Sequence, residues 1–385
     1  MSTATVSRVV HGHDRVRETT RARVLQVIES LGYVPDSAAQ SLSRRRKEII
    51  GLVSLERLSA QFDIESISLL FSDEILHGVE ATLREKGWSL LITFLHSGEK
   101  AYSRLTSLSG KVDGLLIAEG IVGSAELARL SKRVPLVVVA GARDERAADV
   151  VAVDNSSGVA ALVTHLIDEH GRRRLSYVAG PASAPDARER RRAFEEIVAA
   201  HPEVAAVGVY EGTFSAESGH AAASALLAAR PAPMPDAIVC ANDQMAIGAI
   251  RALTAAGVRV PEDVAVVGFD DIYPGALADP GLTTVRQPMR ALGEHACARL
   301  LERLAAPRRL PVRVEVLPTE MVLRESCGCR HGAAGRSVVT PFRAPATVPA
   351  EHRAARRSPP ASGPGTVRSP GTARSPGTAR KKKDA

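Results

Sequence analysis

The 385-residue chain is predicted to be an α/β protein, with two successive doubly wound parallel-sheet lobes behind a short, basic helical head. Three observations carry that prediction. Short apolar runs suited to buried parallel strands recur along residues 49–268, separated by segments with helical amphipathic spacing. A hydrophobic content of 45% supports large cores in two or three domains, and no apolar run is long enough to span a bilayer. Charge is also segregated. Residues 1–48 hold nine Lys/Arg against five Asp/Glu, 49–325 hold 29 against 36, and 326–385 hold twelve against two, nets of +4, −7 and +10. A basic head on an acidic body is the pattern of a nucleic-acid-binding module joined to a domain with another job.

In the head, Thr3 to Val10 reads as a helix with Val6, Val9 and Val10 on its inner side, ended by His11-Gly12. Glu18 to Leu31 reads as a second helix, with Val24, Ile28 and Leu31 in phase and Gly32 closing it. Two such helices bury a useful core only if a third covers them. The next stretch, YVPDSAAQSLSRRRKEIIG at 33–51, joins head and body. Pro35 sets an extended entry, Asp36 is a helix N-cap type, and Ser37 to Ser43 allows about two helical turns before Arg44-Arg45-Arg46-Lys47. A helix this short is marginal alone, so it orders only when something packs on it or binds its charges. A flexible basic linker is the competing reading.

The first half of the body has strand-like runs at Ile49–Val53, Leu90–Phe94, Gly114–Ala118 and Leu136–Ala140, with a helix such as Ile75–Lys86 closed by Gly87. The second half begins near Val150. Its strands at Leu175–Ala179, Val204–Tyr210, Ala237–Ala241 and Val264–Gly268 alternate with helices at Gly158–His170, Ala187–His201, Ser215–Ala229 and Gln244–Ala256. Two such lobes leave a cleft, and ligands of open parallel sheets bind beyond the carboxyl ends of the strands. Asn242-Asp243 and Phe269-Asp270-Asp271 follow two of those ends. Asp243 is expected to cap the helix that follows it. Asp154 and Asn155 are balanced between capping and ligand contact.

Several classes of chemistry are excluded. There is no phosphate-binding glycine loop and no nucleophile elbow, so neither an enzyme nor a cofactor is expected. Cys240 and Cys297 read as small buried residues. Cys327-Gly328-Cys329 lacks a second ligand pair, and His165 and His170, five apart, are expected on different sides of one helix, so no metal site is predicted. The N-terminus shows no apolar signal region, so the chain is expected to stay in the cytoplasm. Residues 331–385 are rich in Pro, Gly, Arg, Ser and Thr, repeat Arg-Ser-Pro-Gly-Thr-Ala at 368–373 and 374–379, and end near Lys381-Lys382-Lys383. This tail is expected to be disordered. It either adds weak attraction to DNA phosphate or is a neutral extension.

The motifs TVSRVV at 5–10, LGYVP at 31–35, VDNSSG at 153–158, ERRRAF at 189–194, ANDQMAIGAIRAL at 241–253, VPEDVAVVGFDD at 260–271, LTTVRQP at 282–288 and LRESCGC at 323–329 closely resemble those of the lactose-repressor (LacI/GalR) family of bacterial transcription regulators. The resemblance covers nearly all of residues 1–329. It implies an incomplete, truncated helix-turn-helix headpiece at 1–35, a hinge helix and basic linker at 36–48, and a two-lobed, periplasmic-binding-protein-like body at 49–325. The first lobe would hold 49–153 and 286–312, the second 154–285 and 313–325.

The resemblance also implies site residues. On the head, Thr3, Ala4 and Arg8 match base-reading positions, and Ser2, Thr5 and Ser7 match positions at phosphate. Ala38, Ala39 and Leu42 match the hinge, with Leu42 as the apolar wedge at the operator centre. For the effector, Arg190 matches the gripping arginine, Asp270 the carboxylate that accepts hydroxyls, Asn242 a second polar contact and Phe214 a stacking ring. Leu70 and Phe71 match the wall of the first lobe. For Arg190, within the run Arg188-Glu189-Arg190-Arg191-Arg192, a solvated helix face is the alternative. The implied partners are double-stranded DNA carrying a palindromic operator, a small-molecule effector of the sugar class and a second copy of the chain, with no membrane. The competing function is a solute-binding protein of the same fold without effective DNA binding. One departure stands out: family members carry a first helix before Val-Ser, and here Met1 stands in place of a Val. The expectation is a coding region that begins upstream and adds about fifteen residues, by analogy with the family.

Overall fold

Alternation of apolar side chains along each strand decides the layering, because successive residues point to opposite faces of a sheet. In the computed structural model, residues 2–10, 16–32, 46–55, 69–95, 100–118, 120–229, 234–329 and 339–340 are described. The first sheet is built from β1 (Ile49–Leu55), β2 (Ser89–Leu95), β3 (Gly114–Ala118), β4 (Leu136–Val139) and β5 (Asp149–Val153), joined later by β11 (Val314–Leu317). Its order is β11-β5-β4-β3-β1-β2, and all pairings are parallel. One face presents Ile50, Leu52, Leu116, Val137 and Val151 to α3 (Leu69–Glu85) and α11 (Met289–Ala305). The other presents Val53, Leu115, Ile117, Val138 and Val150 to α4 (Ala101–Ser109) and α5 (Ser124–Leu130). Both faces are therefore covered, as a parallel sheet requires.

The second sheet has the order β7-β6-β8-β9, from β6 (Arg174–Ala179), β7 (Ala205–Glu211), β8 (Ala237–Cys240) and β9 (Ala265–Val267), again parallel. It packs with α6 (Asn155–Asp168), α7 (Pro185–Ala200), α8 (Ala216–Ala229) and α9 (Asp243–Ala255) around one core that includes Leu162, Leu166, Tyr177, Phe194, Ile238, Val266 and Phe269. A short helix α10 (Tyr273–Ala276) precedes β10 (Thr284–Arg286), which pairs antiparallel with β12 (Glu320–Val322).

Both lobes bring one helix pair together through glycine. A Cβ on Gly78 of α3 would lie 2.1 Å from the Arg290 carbonyl of α11, and one on Gly293 would lie 2.1 Å from the Ile75 carbonyl. In the second lobe a Cβ on Gly219 of α8 would meet the Met245 carbonyl at 2.0 Å, and one on Gly248 of α9 the Ala216 carbonyl at 1.8 Å. No side chain fits at these crossings.

The α/β class and the alternation of strand and helix stand as predicted, with three corrections. First, β11 pairs with β5 in register Val314↔Val150 to Leu317↔Val153, so the first lobe's late share runs to Leu317 instead of ending at 312. The crossing back falls between β11 and β12, where Val314 and Val316 still find a parallel partner at the sheet edge. Second, Val339–Thr340, inside the tail expected to be disordered, forms β13 and pairs antiparallel with Met321 and Val322; β-branched residues suit such an edge. Third, the head is less enclosed than its valine pattern implies. On α1 (Thr3–Val10) and α2 (Glu18–Ser30), Val9 and Val24 are buried, while Val6 is 36% exposed and Leu31 74%. Ala38, Ala39 and Leu42 lie outside the described residues, as do the side chains of Val10, Leu70 and Phe71. No described helix is long and apolar enough to cross a membrane.

Candidate functional site

The carboxyl ends of β6, β8 and β9 converge on one buried cation. Arg190 stands on the second turn of α7, whose start is set by Pro185 in its first turn, and its side chain is 2% exposed. Its Nε donates to Asn155 Oδ1 at 2.8 Å and its Nη1 to the Ala241 carbonyl at 2.7 Å. Nη2 pairs with Asp186 at 3.4 Å, and Nη1 with Asp270 at 3.5 Å. The guanidinium lies 3.8 Å above the centre of the Phe269 ring. The arginine expected at the effector is therefore inside the lobe and shared among four elements. A solvated helix face is excluded for it.

Asp270 accepts from Gln287 Nε2 at 2.5 Å, while Gln287 Oε1 is buried without a partner. The Asp270–Arg190 separation of 3.5 Å is longer than a good charge-assisted hydrogen bond. Phe214, the expected stacking ring, is buried against Gly180, where a Cβ would lie 2.3 Å from the ring. Phe214, Asp270 and Asp271 adopt φ of 65°, 128° and 60°. Positive φ at a non-glycine residue costs roughly 1–3 kcal/mol and collects at ligand sites. Among the described residues, three of the five such positions lie here.

Two assignments at the strand ends change. The N-cap of α9 is Asn242, not Asp243: Asn242 Oδ1 accepts from the Met245 amide at 3.0 Å, and its Nδ2 donates to the Phe214 carbonyl at 3.0 Å. Asn242, expected to touch the effector, spends both ends of its amide on holding the Phe214 loop against α9. Asp243 is fully buried one residue later and accepts from Thr284 Oγ1 at 2.5 Å and the Ile272 amide at 2.9 Å. Burial, and then the neighbouring Asp270 charge, push its carboxyl well above the ordinary range. The two residues held between capping and ligand contact divide the roles. Asp154 caps α6 through the Ser157 amide, and Asn155 orients Arg190.

The sequence reading missed the link between the lobes. Arg143, in the connection from β4 to β5, donates to Asp154 Oδ1 at 2.7 Å and to the Val153 carbonyl at 3.1 Å, and pairs with Glu189 at 3.1 Å. Glu189 in turn accepts from Asn155 and Ser156. Desolvation raises the Asp154 carboxyl, but Arg143 and Ser157 outweigh it and hold it below its ordinary value. The motifs VDNSSG and ERRRAF supply every partner in this link; Arg143 itself lies outside every motif, which is why it went unnoticed.

On the head, Ser2 and, on α1, Thr3, Ala4, Ser7 and Arg8 are exposed, with Thr5 half-buried and its hydroxyl 3.0 Å from that of Ser2. The end of the linker is fixed to the first lobe. The Lys47 and Glu48 amides donate to Asp113 Oδ2 at 2.9 and 2.6 Å, and Arg46 Nη2 donates to the Leu304 carbonyl at the end of α11 at 2.9 Å.

The expectation that His165 and His170 face apart is overturned. Helix α6 ends at Asp168, before His170, and the two rings meet edge to face, centroids 4.8 Å apart. Cys327 and Cys329 come to the same place from the end of the body.

Comparison with known proteins agrees with this architecture. Residues 1–36 match the family described as bacterial regulatory proteins, lacI family, and residues 163–327 match a periplasmic binding protein-like domain. The HTH-type transcriptional regulator CelR of Thermobifida fusca is 36% identical over 329 residues, 84% of this chain and 94% of that protein. The HTH-type transcriptional repressor PurR of Aliivibrio fischeri (strain MJ11) is 31% identical over 332 residues, 85% and 95% respectively. Among solved structures, the lac repressor dimer bound to operator and the anti-inducer ONPF superposes with a TM-score of 0.74 at 25% identity, covering 85% of this chain and 96% of that one. The CelR–cellobiose complex does so with a TM-score of 0.62 at 33% identity and the same coverage.

Proposed function

The chain belongs to the lacI family of bacterial regulatory proteins, and from that premise and the geometry above we propose that it is a cytoplasmic transcriptional repressor, a homodimer on a palindromic operator, controlled by a sugar or sugar derivative. The observation that carries the effector reading is the Arg190–Asp270 pair at the carboxyl ends of β8 and β9. A ligand hydroxyl placed between them accepts from the guanidinium and donates to the carboxylate, and Phe214 supplies an apolar ring for a sugar face. The solved CelR relative is a cellobiose complex, which supports the same chemical class. Its relatives CelR and PurR are transcriptional regulators, which supports a binding role for the site.

DNA contact is assigned to Thr3, Ala4 and Arg8 at base edges and to Ser2, Thr5 and Ser7 at phosphate, on α1 and the residue before it, with Ala38, Ala39 and Leu42 at the hinge. Coupling follows from the anchoring of Lys47 and Glu48 on Asp113. Because the linker leaves from a fixed point on the first lobe, closure of the lobes around effector changes the spacing of the two hinges in the dimer. Arg143, which joins the connection of the first lobe to Asp154 and Glu189 of the second, is the contact that registers closure. Calorimetry over a panel of mono- and disaccharides tests the site. A sugar that binds the parent chain and fails to bind Asp270→Ala is expected, and undiminished affinity in both Asp270→Ala and Arg190→Ala would remove the assignment.

A further inference from the structure

At the far end of α6 from Asn155, four potential metal ligands meet that play no part in the effector network. They are His165 in the last turn of the helix, His170 in the turn after it, and Cys327 and Cys329 on either side of Gly328. We propose that these residues form a Cys2His2 site for zinc, or a similar thiophilic divalent cation, that clamps the end of the body onto α6.

The geometry carries this. Zinc bound tetrahedrally at about 2.3 Å to sulfur and about 2.0–2.1 Å to nitrogen sets the edges of its ligand tetrahedron: about 3.3 Å between two nitrogens and about 3.6 Å between nitrogen and sulfur. Here the two imidazole Nε2 atoms are 3.1 Å apart. Cys329 Sγ is 3.4 Å from His170 Nε2 and 3.5 Å from His165 Nε2, and Cys327 Sγ is 3.6 Å from His165 Nε2. All four donor atoms lie within 4.8 Å of one another. Four of the six edges therefore match a zinc tetrahedron to within tenths of an ångström, and the other two, both from Cys327, are no longer than 4.8 Å, so a small shift of Cys327 completes the site.

The surroundings are built for it. Gly328 sits at φ 112°, and a Cβ there would lie 3.1 Å from His170 Nδ1, so only glycine lets the imidazole close over the two cysteines. Cys327 is fully buried and its sulfur accepts from Thr283 Oγ1 at 3.1 Å, the kind of outer hydrogen bond that holds a metal thiolate in place. Both cysteines are free of disulfides, and soft thiolate with imidazole selects zinc over hard cations such as magnesium and calcium. On binding, each thiol releases its proton to bulk buffer, and two thiolates neutralise the divalent charge. Four protein ligands leave no open position, which makes the site structural. It is independent of the effector assignment.

The test uses the full chain, purified under reducing conditions from zinc-supplemented cells. About one zinc per chain is expected by elemental analysis, consistent with a single four-ligand site. After chelation, cobalt(II) should restore tetrahedral visible bands together with a thiolate-to-cobalt charge-transfer band, and zinc should restore the original melting temperature. Cys329→Ser and His170→Gln should each lose the metal and the charge-transfer band. Because the cobalt spectrum is read on the unmutated chain, poor folding of a variant does not blunt the test. Full zinc retention in both variants, cobalt binding without a thiolate band, or a metal-free chain joined by a Cys327–Cys329 disulfide would overturn the proposal.

Discussion

Replacing Arg190 with alanine separates two jobs that the structure gives one side chain. The substitution removes donors to Asn155 and to the Ala241 carbonyl, ion pairs with Asp186 and Asp270, and the face-on contact with Phe269. Each buried acceptor left unsatisfied costs about 1–3 kcal/mol, and the ring contact is worth about 2 kcal/mol when desolvated. These figures do not add, since water entering the vacated space re-solvates Asp186, the more exposed of the two carboxylates. Breaking a buried ion pair from one side costs about 3–5 kcal/mol, and that is the expected total. At about 2–4 °C per kcal/mol for a body of this size, the melting temperature should fall by roughly 10 °C. Arg190→Lys keeps the charge but not the planar fork, and should recover part of the loss without recovering sugar affinity. Urea titration and differential scanning calorimetry read the stability, and isothermal calorimetry the affinity. A loss below about 1 kcal/mol would show that the network is incidental to the fold, because an exposed ion pair alone is worth that much.

Three further perturbations probe other parts of the account. Gly248→Ala pushes a methyl into the Ala216 carbonyl of α8 and should cost at least about 1–3 kcal/mol in urea denaturation; a neutral result would mean that the helices separate freely. Asp149 is buried beneath Arg299 and Arg303; desolvation raises its carboxyl, but hydrogen bonds from Arg303 and Arg299 outweigh it and the value lies below the ordinary one. Its stabilisation is fully present above about pH 4, where an unfolded carboxyl is ionised, and is lost as the pH falls below that toward the lowered folded value, so Asp149→Asn should be less stable at neutral pH and its stability flatter in acid. Leu42→Ala should weaken operator binding while leaving sugar affinity unchanged, and gel shifts with undiminished preference for operator over random DNA would refute the wedge role.

How much of this was legible depended on whether the signal was local. Strands such as Gly114–Ala118 announce themselves because both faces are buried and every residue is apolar. The crossing back at Leu317 did not, because β11 is a half-exposed edge strand, Val314–Leu317, with a glutamate in it, and its partner β5 is far away in sequence. At Asn242-Asp243 either residue type caps a helix, and the choice rests on Asp243 having Thr284 and Ile272 as partners, which only the fold supplies. Arg190 and Asp270 were found through family motifs; periodicity alone left Arg190 among its neighbours on α7. The His165–His170–Cys327–Cys329 cluster escaped because its two pairs stand about 160 positions apart and because α6 ends at Asp168, short of the expected end at His170.

The central claim is that occupancy of the Arg190–Asp270 site changes DNA binding by α1. It is tested most directly by fluorescence anisotropy of a labelled operator fragment, selected by the full chain from random duplexes, titrated with the chain at fixed salt with and without the sugar found by calorimetry. The account predicts tight binding to the selected palindrome over scrambled DNA, shifted at least tenfold by the sugar, a coupling of about 1.4 kcal/mol, and no shift in Asp270→Ala. Equal affinity for palindrome and scrambled duplex, or a selected operator whose affinity the bound sugar leaves unchanged, would contradict it.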